Sequence, residues 1–338
     1  MIYTPTPFEL NARIANTLAA VAETTAKLSA VALQKPSPAL RRKNRIRTIQ
    51  SSLAIEGNTL TLEQVTALLD KKRVIGPQHD ILEVRNAIDT YRRIGTFNPF
   101  SLASFLDAHR GLMQGLVADP GQLRKGPIGI VRSDDRFREA PDWRHVEPMM
   151  QTLFRHLEKR DDHLVIKSCW FHYQLEYIHP FLDGNGRMGR LWQTRILMQY
   201  HPVFEFLPVE HLIRDHRTRY YRHLAQADDT GDCTAFIAFV LEQIDACLAQ
   251  LLAETRSVTL TASDRLDFAQ SVFKDTVFSR KDYQTHLKNI SSATASRDLQ
   301  HGVVIGLLRK TGDKRTTTYA FRDMRRDRTA SASPEDMD

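Results

Sequence analysis

Apolar residues recur every three to four positions through most of the first 250 residues, the spacing of helices that bury one face. The period predicts a helix over 11–33, interrupted by Pro36 and Pro38, and a second over 40–55 that Gly57-Asn58 stops. A short third helix follows over 62–69, a longer fourth over 80–94, and a Pro-Phe-Ser start signal opens a fifth over 101–116. There the pattern changes. Pro120-Gly121 marks a turn, 126–131 reads as extended, and the polar stretch 132–144 reads as a hairpin tip or loop. Helical spacing returns over 146–157 and 162–178. His179-Pro180 ends the second of these, because proline pushes the residue before it out of the helical region. A new helix should start within 184–187 and run to about Tyr200, with further helices over 216–227 and 234–256.

From Ser263 the character shifts. Helices over 263–277, 280–287 and 292–303 lead into two β-like runs, 306–311 and 315–321, around a Gly-Asp turn. Three helices and a two-stranded wing make a winged helix-turn-helix pattern. The expected fold class is therefore mainly α, divided into a helical region over 1–100, a helical core with a small β-hairpin over 101–250, a winged helix-turn-helix over 262–322 and a charged, Ser-rich, disordered tail over 323–338.

Composition narrows the class. The chain has 338 residues, 42% hydrophobic and 26% charged, enough for two or three folded domains. A net charge of +7 permits an acidic partner without requiring one. Cys169, Cys233 and Cys247 form no CxxC pair and suit a reducing, cytoplasmic setting. The first ten residues lack the layout of a signal peptide, and no apolar run reads as long enough to span a bilayer, so no membrane partner is expected.

The chemistry concentrates in His179-Pro180-Phe181-Leu182-Asp183-Gly184-Asn185-Gly186-Arg187-Met188-Gly189-Arg190. An imidazole held at a helix exit can take a proton from an attacking hydroxyl. Asp183 offers the hard oxygen that Mg²⁺ prefers, usually shared with phosphate oxygens. Gly184, Asn185 and Gly186 let backbone N–H groups converge on an anion at the start of a helix, whose dipole adds to the attraction. Arg187 and Arg190, three apart on one face, can each fork onto phosphate oxygens. Phe181 should plug into the core and anchor the loop. Transfer at phosphorus is mostly positioning and charge neutralisation, and this run supplies both.

The run resembles, at every fixed position, the signature of the Fic (Fido) family, His-Pro-Phe-x-Asp/Glu-Gly-Asn-Gly-Arg-x-x-Arg. The resemblance extends over roughly 101–245, with His109 to Met113, Pro120 to Arg124, and His172, Gln174 and Glu176 matching weaker family features. It implies a helical fold with a hairpin flap, and transfer of AMP from ATP to a Ser, Thr or Tyr hydroxyl of a target protein with release of pyrophosphate. On that basis His179 is the general base, Asp183 holds Mg²⁺, and Gly184, Asn185, Gly186 and Arg187 cradle the phosphates, with Arg190 on the γ-phosphate. Ile128, Gly129, Ile130 and Val131 make the flap, whose edge pairs with the target's backbone. Tyr220-Tyr221 and Asp228 fall at the adenosine end, where Asp228 departs from an expected Asn. A homodimer is common in the family.

Ser52-x-x-x-Glu56-Gly57 matches the inhibitory-helix motif of Fic proteins, here N-terminal to the core, with the helix at about 40–57. A carboxylate from this helix paired with Arg190 would misalign bound ATP. The same Glu56 leaves open a deAMPylase or two-way enzyme, in which it directs water onto a modified target. A reading of another class also stays open: a DNA-binding regulator with a nucleotide-sensing Fic core. For that, Ser292 to Leu299 would open the recognition helix, and Lys310, Lys314 and Arg315 would flank the wing.

Overall fold

The computed structural model describes residues 3–31, 37–131, 137–257, 261–274, 276–287, 290–313 and 316–322. Two compact units divide the chain, 1–256 and 257–338.

In the first unit, α1 (Ala12–Val31), α2 (Pro38–Ile55), α3 (Leu62–Leu69), α4 (Gln78–Arg92) and α5 (Leu102–Met113) precede a hairpin of β1 (Gly129–Val131) and β2 (Phe137–Glu139). Then come α6 (Trp143–Lys159), α7 (Leu164–Ile178), α8 (Asn185–Tyr200), α9 (Val209–Asp215), α10 (Arg217–Thr230) and α11 (Thr234–Ser257). The strands are antiparallel, with Ile130 opposite Arg138.

Local sequence explains most boundaries. Ser37 caps α2 by accepting from Leu40 N at 3.3 Å, and Pro38 sits in the first turn, where its missing N–H costs nothing. Gly57 takes φ 101° just past the end of α2, a conformation other residues avoid. Thr61 and Gln64 form a capping box at α3. α6 is strongly two-faced, burying Val146, Met149, Met150, Leu153, Phe154 and Leu157.

α7 and α8 pack against each other at the centre of the unit, and both are buried nearly all round. Phe105, Phe154, Phe171 and Trp192 meet edge to face across them. The N-terminal strap is stitched to α7: Tyr3 Oη donates to Gln174 Oε1 at 2.7 Å, and Gln174 Nε2 donates to Thr6 O at 2.9 Å.

Several expectations need correction. The stretch 132–144, expected to be a tip or loop, contains β2 and the start of α6. α9 was not foreseen. It is two turns long, follows Pro208 and has no side-chain cap, so it leaves almost no periodic signal. The expectation of no apolar run long enough to span a bilayer also fails. Thr234–Thr255 has that length and composition. Phe236, Phe239, Val240, Ile244 and Leu248 of this helix are buried in the core, which accounts for its apolarity.

The second unit comprises α12 (Ala262–Phe273), β3 (Phe278–Ser279), α13 (Arg280–His286), α14 (Ser292–Val304), β4 (Leu308–Thr311) and β5 (Thr318–Phe321). Its three-stranded antiparallel sheet has the order β3-β5-β4. Leu266, Phe273, Phe278, Tyr283, Leu299 and Leu308 make its core. Arg265 forks onto Asp298 at 2.6 and 2.7 Å inside it. α12 ends at Phe273 rather than Val277, with Lys274 at φ 47° turning the chain into a strand the sequence reading missed. Lys314, Arg315 and the tail 323–338 lie outside the described residues.

Candidate active site

α7 ends at His179, whose backbone adopts φ 51°, ψ 63°. This left-handed C-cap turns the chain away from the helix and leaves the imidazole at its exit. Nδ1 lies 3.4 Å from Glu176 O, which favours a proton on Nδ1 and a lone pair on Nε2. Burial holds the imidazole pKa below its ordinary 6.5; Glu176 pulls it up, while Arg138 and Arg124 push it down. That direction favours the uncharged ring, the form that can accept a proton.

The turn from His179 to α8 is rigid. Phe181 is fully buried, stacked on His109 at 3.6 Å between ring centroids. The Asn185 side chain accepts from Phe181 N and donates to Phe181 O, both at 2.9 Å. Its amide therefore also closes the loop, while Asn185 still lines the cavity. His109 fixes the next residues: Nε2 donates to Asp183 O at 3.0 Å, and Nδ1 accepts from Gly121 N at 2.8 Å. Buried between them, its pKa is pushed down to about 4, so it stays neutral and keeps that tautomer.

α8 begins at Gly184 (φ 87°) with no side-chain cap, so its first N–H groups start the helix uncapped at the edge of a cavity. Into that space comes Glu56, the C-cap of α2. A Cβ on Gly186 would collide with Glu56 Oε1 and lie 3.0 Å from Arg190 Nη1. Only glycine lets the carboxylate rest on the start of the helix. Glu56 Oε1 also accepts from Arg190 Nη2 at 2.7 Å. Arg190 is 1% exposed, and Ser52 completes its shell: Nε donates to Oγ at 3.1 Å and Nη2 to the carbonyl at 2.9 Å.

Arg187 is placed differently from its expected role. Its guanidinium binds Glu83 of α4 and Asp183, behind the cradle, and it does not line the cavity. Glu83 also accepts from Asn58 Nδ2 at 2.6 Å, so a buried chain runs from the end of the α2 turn to Asp183. Sequence gave no sign of Glu83. Burial alone would raise the Asp183 carboxyl, but Arg187 and the Gly184 N–H hold it below its ordinary 3.8.

His179, Asp183, Gly184, Asn185, Gly186, Arg190 and Glu56 line one cavity of about 230 Å³, together with Ile130 of β1, Tyr220, Tyr221 and Asp228. Ile128, Gly129 and Ser52 do not line it; Ile128 O accepts from Ala140 N at the base of the hairpin. The side chain of Val131 lies outside the described residues. Tyr220 is buried, and its hydroxyl lies 3.0 Å from His172 Nε2. Asp228 is tied up by protein groups, accepting from Tyr173 Oη at 3.1 Å and pairing with Arg138 Nε at 3.0 Å.

Residues 99–197 match the Fic/DOC family. The chain is 30% identical over 225 residues to the protein adenylyltransferase Fic of Nematostella vectensis, which covers 61% of this chain and 48% of that protein. It is 29% identical over 236 residues to the protein adenylyltransferase Fic of Drosophila persimilis, covering 62% and 42%. The chain thus spans about half the length of these curated relatives, or less. A Fic family protein from Desulfovibrio desulfuricans G20 has a crystal structure that superposes with a TM-score of 0.73 at 38% identity, covering 95% of this chain and 98% of that one. Fic-1 of C. elegans shares the fold, with a TM-score of 0.60 at 21% identity over 72% of this chain and 74% of that one. With the signature run folded into a single loop and helix start, and the Desulfovibrio Fic family protein matched almost end to end at 38% identity, the chain belongs to the Fic/DOC family.

Proposed function

We propose that this protein is an adenylyltransferase that moves AMP from ATP to a hydroxyl of a target protein and is held off by its own Glu56. The observation that carries the reading is the shared cavity: a neutral His179 at one side, the uncapped start of α8 at its floor, and the Glu56 carboxylate resting on that floor against Arg190.

His179 Nε2 takes the proton of the incoming hydroxyl. The hydroxyl oxygen forms a bond to the α-phosphorus, the bond from that phosphorus to the bridging oxygen breaks, and pyrophosphate leaves. The N–H groups at the start of α8 and the Arg190 guanidinium bind phosphate oxygens. Asp183 suits a Mg²⁺ ion. It lines the cavity, its side chain is 54% exposed, and its carboxyl is held ionised. Such an ion would neutralise charge on the leaving pyrophosphate.

Glu56 competes with this arrangement. It occupies the one deeply buried arginine of the cavity and sits where a phosphate would meet Gly186. The second unit, with its helix-strand-helix-helix-strand-strand order, we read as a winged helix that serves docking or target selection.

The experiment is incorporation of labelled AMP from ATP and Mg²⁺ into the protein itself. Glu56→Gly should raise incorporation by about tenfold or more, as removal of a misaligning contact would. It should lower stability by only about 1–3 kcal/mol, the worth of a charged hydrogen bond, because Ser52 still holds Arg190. Adding His179→Ala should return incorporation to background while the melting curve stays close to that of Glu56→Gly. Unchanged incorporation in Glu56→Gly rejects the brake, and undiminished transfer without His179 rejects the base.

A further inference from the structure

A helix leaves its last carbonyls without donors of its own. At the end of α7, two arginines from outside the helix take them. Arg138 in β2 donates from Nη2 to Glu176 O at 3.3 Å and Tyr177 O at 3.1 Å, and lies over the Tyr177 ring at 5.1 Å. Arg124, in the loop before β1, donates to Ile178 O at 3.4 Å and His179 O at 2.8 Å, while its backbone N–H donates to Pro180 O at 2.9 Å.

The same groups hold the hairpin. Arg124 Nη1 donates to Gly126 O at 3.0 Å, just before β1, and Nη2 donates to Pro141 O, just after β2. Arg138 is itself braced by Asp228 of α10, whose other oxygen is held by Tyr173. Both legs of the hairpin are thus fixed to the helix end that carries His179. Positive charge at a helix C-terminus is favourable in its own right, so the clamp fits the helix dipole as well.

We propose that Arg124 and Arg138 are positioning residues, a two-point clamp that sets the edge of the hairpin at a fixed distance from His179 so that a hydroxyl held on that edge meets the imidazole. The role given to the hydroxyl rests on the transferase reading above; the clamp itself rests on the hydrogen bonds. Asp228 then serves the flap through Arg138, with both its oxygens turned to protein groups. The clamp has an electrostatic side too. The groups acting on the His179 ring are Glu176 of α7, which raises its pKa, and Arg138 and Arg124, which lower it.

The test uses the full chain carrying Glu56→Gly as parent. Arg138→Gln removes the fork and the charge, Arg138→Lys keeps the charge alone, and Asp228→Asn removes only the brace. Amide hydrogen exchange reads the hairpin, NMR titration reads His179, calorimetry reads ATP binding with Mg²⁺, and AMP incorporation reads transfer. In Arg138→Gln, exchange in β1 and β2 and loss of transfer should each reach about tenfold or more, the loss of transfer well beyond any loss of ATP affinity even though Arg138 lines the cavity, because ångström-scale misplacement costs rate more than binding. His179 should titrate higher than in the parent, since a neighbouring cation is gone. Arg138→Lys should return the titration to the parent value while the hairpin still exchanges fast. Asp228→Asn should show the exchange effect in weaker form. Parental exchange and titration in Arg138→Gln would overturn the clamp, as would a loss of transfer that tracks a loss of ATP affinity. A parent that transfers no AMP would sink the transferase reading alone, because exchange and titration still decide the clamp.

Discussion

Glu210, on α9, is buried, and burial pushes its carboxyl up to about 7 despite the nearby Arg190 and the hydroxyls of Thr48 and Thr194. A carboxyl whose folded pKa lies above its unfolded value stabilises the fold at low pH and loses that contribution as pH rises through the folded value. Stability should therefore fall between about pH 4.5 and 7 on account of this residue. Glu210→Gln should flatten that slope; denaturant melts of both proteins across the range check it. An equal slope in the two would show that Glu210 is not the group responsible. His179 runs the other way. Its depressed pKa adds stability above 6.5 that is lost as pH falls through the folded value, so the two slopes oppose each other just below pH 6.5.

At the scale of elements, the site is the meeting of two helix ends, α2 at Glu56 and α8 at Gly186. Nothing larger than glycine fits between them. Gly186→Ala should push away Glu56 and Arg190, whose contacting atoms are flexible side-chain ends, and so break the ion pair proposed as the brake. The new methyl also fills the phosphate cradle, so AMP incorporation should stay at background even when Glu56→Gly is added. Transfer at the Glu56→Gly rate in that double variant would mean that the phosphates do not sit on this helix start. Helices that bury one clean face were legible in the sequence, as were the loop from His179 to Gly186 and the motif ending in Glu56. Arg124, Arg138 and Glu83 were not. Each is a single charged residue with no periodic partner, and its role comes from carbonyls or carboxylates distant in sequence. Arg124 stood inside a run with family resemblance, which was its only signal.

For the whole molecule, each unit has its own core, and α7 with α8 forms the centre of the first. Residues 1–256 should fold alone and, with Glu56→Gly, incorporate AMP at a rate within about tenfold of the full chain, since every residue of the cavity lies within them. A truncated chain that melts without cooperativity would show that the first unit depends on the second. A cooperative but inactive one would give the second unit a part in transfer.

The sequence by itself determined the helical class, the turn after α7 and the signature run of the family, because these depend on spacings of a few residues along one chain. Tertiary structure alone decided that Asn185 closes the loop, that Arg187 turns back to Glu83 and Asp183, and that Asp228 braces Arg138. Charged side chains find their partners by proximity and burial, and a folded chain brings together carboxylates, guanidinium groups and carbonyls that no local spacing connects.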